Sequence, residues 1–115
     1  MMKNYCLAIA LLVLTGAVHA QNPPGDRQSM QEEAYSTYFR CIGVYAARYI
    51  KSEALVADVA DAAMSACQDR YQDLVNATST LLGNLPAAST VLKDTRETAR
   101  SFAVRTVLEA RFPQR

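Results

Sequence analysis

Two cysteines constrain the fold of this chain most strongly, because each lies at the apolar side of a separate predicted helix. Cys41 and Cys67 are separated by 26 positions. A disulfide bond between them would fix the two helices as a hairpin, and closing a loop of this length restricts the unfolded chain by about 3.5 kcal/mol. The other interpretation, a redox-active pair, usually requires a Cys-x-x-Cys spacing at a helix start. We therefore predict a structural disulfide bond.

The compartment in which such a bond can form is indicated by the first twenty residues. Lys3 precedes an apolar run over residues 6–14, and Val18 and Ala20 occupy the −3 and −1 positions of an A-x-A-like cleavage site. The apolar run is too short for a membrane anchor, which needs about 20 apolar residues. We expect residues 1–20 to be a signal peptide, the mature protein to be periplasmic or secreted, and the mature chain to have no transmembrane segment.

Removal of the leader would also remove the chain's only histidine, His19. Histidine is the usual general base near neutral pH and the commonest metal ligand. The remaining glycines, Gly25, Gly43 and Gly83, form no phosphate-binding loop. We therefore predict that the protein is not an enzyme and has no catalytic residues, no metal site and no cofactor. A hydrolase that uses only carboxylates is the enzyme class left open.

The charge of the mature chain excludes two other classes of partner. Without Lys3, the chain holds 11 basic and 11 acidic residues and is neutral. Nucleic acids and anionic membrane surfaces normally select proteins with a net basic surface. We expect no nucleic acid partner, and we expect the unknown partner to be a protein.

Apolar residues recur at steps of three and four through most of the mature chain, which predicts an all-α fold. We expect a flexible N-terminal arm over residues 21–28 and one helical domain over residues 29–115. The helices are predicted at about 30–50, 53–82 and 87–111. Short connections between them favour a small three-helix antiparallel bundle.

Local signals define the predicted helix ends. Ser29 and Glu32 fit a capping box, Ser52 is the best N-cap for the second helix, and Gly83 supplies the left-handed residue that ends it. A hairpin that turns at Ser52 would place Cys41 level with Ala62, not with Cys67. The disulfide bond therefore requires a turn centred nearer Ala54, or helices that cross at an angle.

Two stripes of like charge lie on the predicted helices. The acidic stripe is on the second helix and comprises Asp58, Asp61, Asp69 and Asp73. The basic flank is on the third helix and comprises Lys93, Arg96, Arg100 and Arg111. Each could dock an oppositely charged partner, although an ordinary solvated face or pairing within the bundle is favoured. Formal charge is −3 over residues 21–83 and +3 over residues 84–115, a polarity also compatible with a homodimer.

Five tyrosines fall at helical spacing: Tyr35, Tyr38, Tyr45, Tyr49 and Tyr71. Their side chains could either pack in the core or form an exposed interface. The spacing favours the core, with hydroxyls at the rim. An exposed aromatic patch would instead anchor a protein or glycan.

Two hypotheses for function follow. The first is a small exported, non-enzymatic helical protein that binds another protein in the cell envelope as an inhibitor, immunity or accessory factor. The second is a small-ligand or envelope-glycan binding module with a tyrosine-lined pocket between the first predicted helix and Phe102. The pattern Tyr38-x-x-Cys41 followed by Ala62-Ala63-x-x-Ala66-Cys67 resembles those of many small exported bacterial helical proteins, and this resemblance implies no particular activity.

Overall fold

The structure is a computed structural model that describes residues 24–83 and 86–113, and all regular secondary structure within them is helical. The all-α prediction is confirmed. The predicted signal peptide, residues 1–20, lies outside the described residues. Four helices follow one another along the chain: α1 (Pro24–Arg48), α2 (Val56–Ala66), α3 (Gln68–Leu82) and α4 (Pro86–Arg111).

The prediction of three helices is wrong, because the predicted second helix over about 53–82 is two helices that meet at Cys67. Cys67 has φ −100° and ψ 17°, outside the usual α-helical range. Hydrogen bonds of the helical type flank the break: the Cys67 N–H donates to the Ala63 carbonyl and the Tyr71 N–H to the Cys67 carbonyl, both at 3.0 Å. The change of direction lets α2 pack mainly against α4, and α3 mainly against α1.

The predicted disulfide bond is formed between Cys41 of α1 and Cys67, at the break between α2 and α3. Their Cα atoms lie 5.9 Å apart, and the Cys67 side chain is fully buried. The bond is consistent with an oxidising compartment, where disulfides persist. Residues 49–55 connect α1 to α2. The second helix therefore begins at Val56, three residues after its predicted start near residue 53.

Ser52 was predicted to cap the second helix, but its side chain instead forms hydrogen bonds within the connection between α1 and α2. Its hydroxyl donates to the Tyr49 carbonyl at 2.9 Å and accepts from the Ala54 N–H at 3.3 Å. Serine readily forms such local hydrogen bonds in turns, which compete with a helix start at the same residue. Leu55 instead occupies the N-cap position of α2, in an extended conformation and without a side-chain hydrogen bond.

The first helix begins earlier than its predicted capping box. Residues 24–28 form the first turn of α1, so this part of the predicted flexible arm is helical, and Ser29 lies inside the helix. Proline at the first helical position loses no hydrogen bond and has a suitable fixed φ. Asp26 in the first turn adds a favourable charge at the positive end of the helix dipole.

The end of α3 and both ends of α4 lie close to the positions predicted from the sequence. Gly83 follows α3 with φ +72°, and its N–H donates to the Ser79 carbonyl at 2.7 Å. The positive φ is the conformation for which glycine was predicted there. The last helix begins at Pro86, one residue before the predicted start, and ends at Arg111 as predicted.

The core is built largely from small side chains, which lets the helices approach closely. Along α4, Val107 is buried one turn after Ala103, so the core-facing line advances by four residues there. The cluster of buried residues comprises Tyr38, Ile42, Ala46, Val59, Ala60, Ala63, Cys67, Leu74, Ala99, Ala103 and Val107.

Candidate functional site

The predicted acidic stripe is exposed, but the break at Cys67 divides it between α2 and α3. Two of its members are in ion pairs: Asp61 accepts from Arg100 Nε at 3.0 Å, and Asp73 accepts from Arg70 Nη1 at 3.4 Å. Exposed ion pairs contribute little stability each. The remaining members, Asp58 and Asp69, are exposed on separate helices.

The predicted basic flank is divided among three environments. Arg100 pairs with Asp61 across α2 and α4. Arg111 binds the connection between α1 and α2. Lys93 and Arg96 line a groove between α3 and α4. The structure therefore leaves two of the four predicted basic residues together at one open surface.

All three guanidinium nitrogens of Arg111 donate hydrogen bonds to the connection between α1 and α2. Its Nε and Nη1 atoms each donate at 2.8 Å, to the carbonyls of Ile50 and Ala54 respectively. Its Nη2 atom donates to the Tyr49 carbonyl at 3.0 Å and the Ser52 carbonyl at 2.9 Å. A cation here also complements the negative end of the α1 dipole. Arg111 thus has a structural role that the sequence pattern did not indicate.

The tyrosines are divided between the core and the surface. Tyr38 is 1% exposed, and its hydroxyl donates to the Met64 sulfur at 3.5 Å. Burial raises the pKa of Tyr38 above its ordinary value, while the positive charge of Arg96 acts in the opposite direction. Tyr35 and Tyr49 are more than one third exposed, at 38% and 42%.

Among the described residues, no tyrosine lines the groove beside Phe102. The rings of Phe39 and Phe102 are in contact there, with centroids 5.6 Å apart. The open groove beside them has a volume of about 590 Å³ and a largely polar wall from α4 that includes Asp94 and Arg105. The tyrosine-lined ligand pocket stays a prediction.

A groove with a volume of about 710 Å³ lies between α3 and α4. The helices α3 and α4 contact each other less than α1 contacts either of them. A gap therefore remains between the sides of α3 and α4 that face each other. Val75, Ala88 and Leu92 supply apolar lining, and Tyr71 lies at one end near Arg96. We refer to this surface as the α3–α4 groove.

Positive charge in the α3–α4 groove comes from α4. The Arg96 guanidinium lies 5.0 Å from the centroid of the Tyr71 ring, a cation–π contact that holds it at the groove end. Within the part of the chain that the structure describes, no carboxylate lies within 4.0 Å of the Lys93 ammonium or the Arg96 guanidinium. Both cations are exposed and can pair with an incoming acid.

Sequence reasoning missed the apolar lining of this groove. Val75 lies next to the buried residue Leu74, and Ala88 lies in the first turn of α4. Helical periodicity assigns residues to a face, but it does not show where two faces stand apart. That separation follows from the break at Cys67, for which the local sequence has neither glycine nor proline.

Residues 24–83 and 86–113 contain neither a metal-binding cluster nor a membrane-spanning helix. Their cysteine and carboxylate side chains form no cluster of three that could hold a metal ion. None of the helices described combines the length and hydropathy needed to cross a membrane. The chain matches no protein-family model, no curated protein and no solved structure.

Proposed function

We propose that this chain is an exported, non-enzymatic binding protein of the cell envelope, which holds a segment of another protein in the α3–α4 groove. Its proposed role is that of an inhibitor, an immunity protein or an accessory factor. The periplasm or the extracellular medium is its proposed location. The disulfide bond between Cys41 and Cys67 supports an oxidising compartment, and the predicted signal peptide supports export.

The apolar lining of the α3–α4 groove carries this proposal. Tyr71, Val75 and Leu92 are only partly buried, and two of them, Tyr71 and Leu92, pack against the buried core. Covering such side chains with a partner removes apolar surface from water, which is the main favourable term in protein association. A polar rim around an apolar centre is also the usual organisation of a protein interface.

The shape of the groove favours a protein segment over a small molecule. Its lining on this side runs from Tyr71 of α3 to Gly83, which directly follows α3, about 18 Å at the rise of a helix. Small-molecule sites usually enclose most of the ligand surface. This groove is open along its length, so a segment of a larger partner can enter from the side.

Site-specific photo-cross-linking in the cells that export the protein tests the proposal. A photoreactive phenylalanine analogue replaces Ser89, an exposed residue of the groove. The control carries the same analogue at Ser36, an exposed serine of α1 outside the groove. We expect a discrete adduct with a second protein at position 89 and not at position 36. No adduct at position 89, or the same adducts at both positions, would contradict the proposal.

A further inference from the structure

We infer that the occupant of the α3–α4 groove is an amphipathic helix of another protein, with acidic residues beside its apolar stripe. This inference rests on the proposed function and adds the chemistry of the partner. The length of the groove, the distribution of its charges and the character of this chain's own acidic surface support it.

The length of the groove matches a short helix. Its α3 wall spans about 18 Å from Tyr71 to Gly83, which corresponds to about three turns of a helix. The apolar lining from Val75, Ala88 and Leu92 lies between two helices that are left apart. A third helix laid between them would bury its apolar stripe, as in the usual helix-in-groove mode of recognition.

The charges of the groove select an acidic partner. Every α3 residue of the lining is uncharged, so α4 alone sets the charge with Lys93, Arg96 and Glu97. Arg96 and Glu97 both also line the neighbouring groove, which contains Asp61 of α2. In the α3–α4 groove the two cations outnumber the one carboxylate, and acids on the flank of a bound helix would pair with them.

The acidic stripe of a second copy does not have the required surface. Asp58, Asp61, Asp69 and Asp73 lie on α2 and α3, whose large apolar side chains are at most partly exposed. Their acidic face could approach Lys93 and Arg96 but could not cover the apolar lining. On α1, Glu33 lies near the exposed side chains of Met30 and Tyr35, so a cross-link from Ser89 to α1 of a second copy would overturn the choice of a different protein.

Two synthetic helical peptides test this inference on the mature, oxidised protein. Both carry the same leucines at positions i, i+3, i+4 and i+7, and their flanking residues are all glutamate in one peptide and all lysine in the other. Affinities are measured by fluorescence anisotropy at low ionic strength. We expect the glutamate peptide to bind at least about tenfold more tightly, since each new rim ion pair contributes modestly.

Charge reversal in the groove provides the decisive comparison. In the double variant K93E/R96E, the preference should shift towards the lysine peptide. The matched control R40E/R105E reverses two exposed cations outside the groove and should keep the original preference. Equal affinity for both peptides, or an equal response of both variants, would overturn the acidic helix. A cross-link at Ser89 to a non-acidic segment would overturn it while leaving the proposed binding function intact.

Discussion

The Arg111 Nε atom donates a hydrogen bond of 2.8 Å to the carbonyl oxygen of Ile50, which precedes it by 61 residues. Arg111 is the last residue of α4, and Ile50 lies just beyond the end of α1. The same guanidinium also binds carbonyls of Tyr49, Ser52 and Ala54. One side chain therefore joins the ends of two helices to the connection that precedes α2.

Replacement of Arg111 by alanine should lower the free energy of unfolding by about 2–3 kcal/mol, since hydrogen bonds from a charged donor are lost together. Lysine should not restore the loss, because its ammonium cannot reproduce the planar fork of donors. Urea denaturation measures both variants. The control Arg105→Ala removes an exposed arginine of the same helix and should change stability by less than about 0.5 kcal/mol. A similar small effect at Arg111 would contradict the structural role.

Removal of the disulfide bond should also destabilise the domain. The double variant Cys41→Ala with Cys67→Ala should lose about 3.5 kcal/mol by the loop-entropy model, with a further contribution from the space left at the buried Cys67 side chain. Denaturation of the oxidised mature protein and of the variant gives the difference. Equal stability of the two proteins would show that the bond does not constrain this hairpin.

Two glycine-to-alanine substitutions should have opposite effects. At Gly43, inside α1, an added Cβ would lie 3.5 Å from Phe102 Cε1, an ordinary contact, so alanine should stabilise the protein by about 0.5–1 kcal/mol. At Gly83, φ is +72°, a region that alanine adopts only with strain, so alanine should destabilise by about 1 kcal/mol or more. Thermal unfolding of both variants checks the signs. Destabilisation by alanine at position 43 would contradict the ordinary contact expected between the added Cβ and the Phe102 ring.

Valine at Thr78 should stabilise the protein by about 1 kcal/mol. The Thr78 hydroxyl is buried and has no hydrogen-bond partner among the residues that the structure describes. An unpaired buried hydroxyl is unfavourable, and valine has a similar shape without it. Thr95→Val is the control, because the Thr95 hydroxyl donates to the Val91 carbonyl at 2.8 Å. A loss of stability at Thr78 as large as that at Thr95 would contradict the assignment of the Thr78 hydroxyl as unpaired.

The sequence predicted those features of the fold that have a local or pairwise cause. The disulfide follows from two cysteines at compatible helical positions, and the end of α3 follows from Gly83. The helix break at Cys67 has no such signal, since alanine-rich segments favour an unbroken helix. Ser52 satisfies the rules for an N-cap and for a turn equally, and the hydrogen bonds of Arg111 hold the turn.

The candidate site was predictable only in part. Lys93 and Arg96 lie on one flank of a helix by spacing alone, which the sequence showed. The apolar lining beside them depends on how far α3 stands from α4, a property of tertiary packing. Arg111 shares the flank by spacing, yet its contacts with the connection after α1 separate it from the groove.

The most direct test of the account maps where a partner binds. The segment recovered by cross-linking at Ser89 is synthesised and added to the isotopically labelled, oxidised mature protein, and amide chemical shifts are followed by NMR. We expect the changes to cluster at residues 71–83 of α3 and 88–97 of α4, the two walls of the groove. Changes centred on another face of the bundle, or no saturable change, would contradict the assignment of the α3–α4 groove as the binding site.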